Sequence, residues 1–355
     1  MRVPQALLAL VAGLVMTAQG CSISFRTGGP LDGGVFRSDD GGTTWNAVAN
    51  AGTTAKGKPI RIDHLDIEFI RIDPVTSATV YLGTRGAGLY RSDDSGDRWV
   101  TTGLGAGTYV ALAIDPSAPS ILYAASGGVI TKSGDGGATW KPIYVESKPD
   151  RTITDLAIQP TDSSVLLAAT NRGDVLLSRD YGNTWQLLSS LTTVDHINRL
   201  LFPPANGTTV YALTRASGLF RSTDGGASWQ SMKQSLQPFP GSTSISSVAT
   251  VTGRSDTLYL ASGYGLLVTR DGGASWQPIN TLVPFGSQPI QAVAVNPANE
   301  ATMYVLVGNR LRKSIDGGAS WDAKITVSTG RLLTALTLNP DRPDQLFVGT
   351  IKPKK

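Results

Sequence analysis

The sequence predicts an all-β fold: a seven-bladed β-propeller of four-stranded antiparallel blades, closed by pairing N- and C-terminal strands in one blade. Three observations predict it. An octet of the form Ser-x-Asp-x-Gly-x-Thr/Ser-Trp recurs seven times, its copies ending at Trp45, Trp99, Trp140, Trp185, Trp229, Trp276 and Trp321, which are all the tryptophans present. Successive copies lie 54, 41, 45, 44, 47 and 45 residues apart, the length of a four-stranded blade. The chain ends are complementary: Leu333 to Asn339 and Gln345 to Thr350 supply two strands with no octet after them, whereas Val35 to Val48 supply two strands with none before. Together they complete one blade, which leaves the ring only short protected edges. An open solenoid or β-helix would share the period but would not need this split.

Composition agrees. Of 355 residues 40 are glycine and 16% are charged, a profile of short strands and tight turns. Past the first twenty residues no window sustains a helical apolar period. Residues 1–20 read as a signal peptide: Arg2 precedes an apolar run from Ala6 to Ala18, about the length of a signal core and too short to span a bilayer. Ala18-Gln19-Gly20-Cys21 follows, with Cys21 the one cysteine. It resembles a bacterial lipobox, which implies lipidation of Cys21, although Ala18 stands where such sites usually carry leucine. Either a lipid-anchored or a secreted domain is exported, and one cysteine allows no internal disulfide. Residues 21–34 form a polar, Gly-rich tether, and 35–352 a single propeller. The net charge of +4 is a mild excess without basic runs before the C-terminal tail, so no nucleic-acid partner is expected.

Each repeat orders its strands alike, as in Ala111 to Pro116, Ile121 to Ala125, Gly128 to Ile130 and a strand opening at Trp140. Within the octet, glycine at the fifth place, as in Gly226, permits positive φ. The aspartates Asp40, Asp94, Asp135, Asp180, Asp224, Asp271 and Asp316 are suited to cap backbone N–H groups of their own turns, and the tryptophan to pack over the hairpin against the next blade. The seven carboxylates sit on different blades, so no metal site is expected, and no cofactor. Arg98 replaces the Thr/Ser before Trp99, predicting a looser hairpin in the second repeat. The octet resembles the Asp-box, or bacterial neuraminidase repeat, a resemblance that covers nearly the whole mature chain. It implies that these residues stabilise the fold away from any active site.

Function is then expected on the opposite face, among the loops joining second to third strands and each outer strand to the next inner one. Four of six second-to-third loops carry arginine: Arg85, Arg172, Arg215 and Arg310, while a fifth carries Tyr264. With Arg61 and Arg199 at the channel mouth, these form a candidate basic binding face, since guanidinium groups bind carboxylates and phosphates in bidentate fashion. Alternation along His64 to Glu68 places Asp66 and Glu68 on one side of an extended segment. These two and Asp155 are weak catalytic candidates, because a glycosidase needs two carboxyls at a set separation.

Several Asp-box groups are similar. Sialidases have six blades and an Arg-Ile-Pro motif that is absent here, Arg71-Ile72-Asp73-Pro74 being a strand-end copy. Xyloglucanase-type glycosidases place catalytic aspartates between two propellers, and sortilin-type receptors have ten blades. In length, blade count and lipobox the chain resembles the photosystem II assembly factors of the Ycf48/Hcf136-like type, which implies a non-enzymatic scaffold whose arginine surface engages a protein. The expectation is an exported, membrane-anchored, monomeric binding propeller that engages a protein or glycan partner through its basic loop face. The alternative is a glycoside hydrolase acting on extracellular glycans.

Overall fold

The computed structural model describes residues 33–353, apart from 192–195, 205 and 324. The expected leader 1–20, Cys21 and nearly all of the expected tether lie outside the described residues. Six antiparallel four-stranded sheets and a seventh of three strands follow one another. The seventh, Ile290–Val295, Met303–Val307 and Arg310–Ser314, is extended by a bridge between Lys313 and Asp322. The first blade is assembled from both ends, Leu332–Leu338 and Leu346–Ile351 pairing onto Val35–Ser38 and Asn46–Ala47. Its seam runs Val35↔Gly349 to Ser38↔Leu346 without interruption. A second tie is Arg331, whose Nη1 donates to the Asp66 carboxylate at 2.9 Å and to the Leu65 carbonyl, and whose Nη2 donates to the His64 carbonyl.

The core is divided into wedges between blades. Phe69, Leu89 and Leu112 share the wedge of blades 2 and 3, while Tyr211, Leu219 and Leu260 share that of blades 5 and 6. Second strands buried on both faces explain runs such as Val210–Thr214, covered throughout. A tyrosine in the second strand reaches the signature hairpin of the next blade. Tyr81, Tyr123, Tyr211 and Tyr304 donate their hydroxyls to the carbonyls of Gly136, Tyr181, Gly272 and Gly41.

The hairpins fold as the octet predicts. Asp224 accepts from the Ser228 N–H at 2.9 Å, the Ser228 hydroxyl at 2.6 Å and the Ser222 hydroxyl at 2.7 Å. Gly226 takes φ 97°, a value that strains any side-chain-bearing residue. In the second blade Arg98 offers Asp94 its backbone N–H but no hydroxyl, yet Trp99 is fully buried. The long interval before it folds over the indole as an extra hairpin, Asn50–Thr53 with Pro59–Arg61. The Val48 carbonyl accepts the indole N–H at 2.7 Å, and the Asn50 carbonyl accepts the Trp99 N–H. A four-residue helix, Lys233–Leu236, links blades 5 and 6.

Candidate functional site

Inner strands begin at the loop face, and in six blades they begin with a bulge, between Ile67 and Phe69, for example, or Ile197 and Arg199. The bulged residues are Glu68, Thr154, Asn198, Ser246, Gln291 and Thr334. A bulge re-aims the side chain it carries, and all of these but Thr154 line a channel cavity of about 210 Å³. Below it a second cavity of about 250 Å³ is walled by Leu112, Ile114, Leu156, Phe202 and strand-end prolines. Arg71, Asp155 and Arg199 line both and form the septum between a mostly polar upper half and a lower half that is part polar, part apolar.

Asp155 receives the Leu200 N–H of the neighbouring blade at 2.8 Å. Its pKa is raised, because burial disfavours the charged form more than Arg199 and Arg71 favour it. Arg71 is reached by water along the channel yet enclosed by protein, and its pKa falls to about 10 through burial and the nearby Arg199 charge. Its Nη1 donates to the Ile70 carbonyl at 3.2 Å. Arg199 makes no ion pair or hydrogen bond through its guanidinium among the described residues. Two further polar atoms, Thr154 Oγ1 and Gln291 Oε1, are buried without a partner among the described residues.

The structure places the loop arginines in two groups. Arg85 binds Glu68 at 2.5 Å, Arg172 lies 3.3 Å from Asp150, and Arg61 binds Asp63. On this side of the ring much of the expected positive charge is therefore cancelled locally, and Arg151 is likewise paired with Asp174. Arg215 and Arg310 are exposed and have no ion pair among the described residues. They stand on blades 5 and 7, either side of Tyr264 on blade 6. Tyr264 stacks on Phe285, centroids 4.8 Å apart and planes at 7°, and meets Phe239 edge-on at 5.2 Å. Phe285 is 42% exposed and Leu282 56%. A groove of about 710 Å³ runs alongside, lined by Phe239, Pro240, Leu236 and Lys233.

The three carboxylates considered for catalysis are engaged. Asp66 accepts from Arg331 and from the Lys352 N–H at 2.7 Å, so it clasps the closure seam. Glu68 holds Arg85, and Asp155 caps an edge N–H. Glu68 and Asp155 do face one cavity; Asp66 is not among its walls. Sequence reasoning missed Arg71, Arg331, Phe239 and Phe285. Arg71 carried a signal, since equivalent inner-strand positions hold Ala113, Ala157, Ala249 and Ala294. The two phenylalanines lie in loops of unequal length and have no repeat counterpart.

No family model matches the chain. It is 28% identical over 201 residues to a xyloglucanase of Hypocrea jecorina, covering 56% of this chain and 22% of that protein. To a Paenibacillus xyloglucanase it is 27% identical over 227 residues, covering 61% and 21%. The chain thus spans about a fifth of the length of these curated relatives. Among solved structures, the GH74 xyloglucanase of Xanthomonas campestris superposes with a TM-score of 0.66 at 20% identity, over 86% of this chain and 52% of that one. YCF48 bound to D1 peptide superposes with a TM-score of 0.62 at 16% identity, over 82% and 94%. The shared property is the fold. The chain is a seven-bladed β-propeller, and it is similar in length to the second of these structures and to about half of the first.

Proposed function

We propose that this propeller is an exported, non-catalytic binding module, held at a membrane by a lipidated Cys21, that engages a protein partner through the loop face of blades 5 to 7. One observation carries the reading: Tyr264, Phe285 and Phe239 cluster on that face, Phe285 exposed and the other two half-buried, on the blade between those of Arg215 and Arg310, the two loop arginines without ion pairs among the described residues. Aromatic and arginine side chains dominate protein contacts, because they bury large areas and donate several hydrogen bonds from rigid groups. The engagement of Asp66, Glu68 and Asp155 in structural bonds agrees with it, as does the likeness to a propeller that binds a peptide. The test is partner capture by wild type, by Arg215→Glu/Arg310→Glu and by Tyr264→Ala/Phe285→Ala, with Arg85→Glu/Arg172→Glu as control. Capture should fall at least tenfold in the first two and less in the control; equal capture by all four refutes the placement.

The curated relatives favour one second reading, a glycoside hydrolase with Glu68 and Asp155 facing the upper channel cavity. Release of reducing ends from xyloglucan, abolished in Glu68→Gln or Asp155→Asn, would establish it over the binding role.

A further inference from the structure

We infer that the central channel binds a small apolar monocarboxylate, its carboxylate between Arg71 and Arg199 and its hydrocarbon body in the lower cavity. Two guanidinium groups and one carboxylate form the septum, so the enclosed channel holds one positive charge in excess. Among the described residues, other carboxylates nearby do not cancel it. Glu68 is held by Arg85, while Asp73 and Asp115 cap the backbone of their own turns. Enclosing a cation without a full counter-charge is costly; Arg71 donates to the Ile70 carbonyl and stands 5.3 Å from the centre of the Phe69 ring, and the remaining N–H groups of the two forks are free to grip an anion.

The shape of the channel selects the ligand. Above the septum, Gln291 Oε1 stands buried and unpartnered among the described residues, a site for a bridging water or a ligand donor. Below it, Leu112, Ile114, Leu156 and Phe202 supply the apolar part of the wall of a cavity of about 250 Å³ whose polar part is Arg71, Asp155 and Arg199, room for a body of benzoate size. A strongly hydrated dianion such as sulfate would leave that half unfilled. Arg71, whose charged form is already disfavoured by burial and by Arg199, gains most from an anion placed between the two.

The inference stands apart from the partner-binding reading, because its residues lie inside the ring. Isothermal titration of the purified protein with benzoate, hexanoate, sulfate and the neutral isostere benzamide tests it. Both carboxylates should bind saturably and benzamide at least tenfold more weakly. Arg71→Gln and Arg199→Gln should each lose at least tenfold in benzoate affinity. Asp155→Asn, which removes the competing carboxylate, should gain several-fold, a readout that serves even where an arginine variant fails to fold. Arg215→Glu/Arg310→Glu should leave benzoate affinity unchanged whatever it does to partner capture. Absence of binding by both carboxylates, equal binding of benzamide, or a weakened Asp155→Asn would overturn the assignment.

Discussion

Truncation of Trp99 to alanine should be the most costly single change among the seven signature tryptophans. The indole is fully buried beneath the extra hairpin and packs with Val48, Ile62 and Phe347. A buried tryptophan removes about 150–250 Å² from water, worth about 4–6 kcal/mol at about 25 cal/mol per Å². Measured Trp→Ala costs of about 3–5 kcal/mol set the same scale. Its N–H also satisfies the Val48 carbonyl at 2.7 Å, adding about 1 kcal/mol. The comparison is Trp140, which stays partly exposed and donates to Gly137 inside its own hairpin at 2.9 Å; there about 2 kcal/mol is expected, in proportion to the smaller burial. Urea titration followed by far-ultraviolet circular dichroism reads both. A Trp99→Ala loss no greater than that of Trp140→Ala would refute the claim that the inserted hairpin turns this tryptophan into core.

Three further outcomes follow from the described contacts. Asp40, Asp135, Asp224, Asp271 and Asp316 have pKa values lowered to about 2, for most of them chiefly by bonds from their own turns. Their stabilisation is complete above about pH 4 and is lost as pH falls towards 2, so the urea midpoint should drop across that window; a flat profile from about pH 5 to 2.5 would contradict it. Tyr211→Phe removes a 3.3 Å hydroxyl bond to the Gly272 carbonyl and should cost about 0.5–1.5 kcal/mol in urea unfolding, more than Tyr181→Phe, whose exposed ring has no such task. Asp66→Asn should destabilise by about 1–2 kcal/mol, discounted for its partial exposure, and hydrogen exchange should quicken at Leu346–Ile351 first.

The ring was legible because the same packing problem is solved seven times. A lone tryptophan would say little, but seven at blade spacing, with unpaired strands at both ends, leave one closed topology. Even the octet chemistry was readable, since Ser222, Asp224, Gly226 and Ser228 meet within one turn. The site was less so, because its meaning lies in contacts between distant residues. Arg85 and Glu68 are 17 positions apart, and Asp66 and Arg331 are 265 apart; no local pattern shows that such charges neutralise one another. The arginines therefore read as one arc, whereas the fold divides them into a paired group and an unpaired one. The inserted hairpin and the aromatic cluster break the repeat and so fall outside what periodicity can teach.

The seam of the first blade bears on how the protein comes into being. Val35–Ser38 is synthesised long before its partner Leu346–Ile351 and must wait for it, so the nascent chain carries an unsatisfied strand edge until that partner has emerged. Intermediate blades can stack as they appear, but the circle locks in one late event spanning more than 300 residues. A ribosome that stops short of that strand leaves an open arc with two sticky edges, a natural substrate for chaperones and proteases.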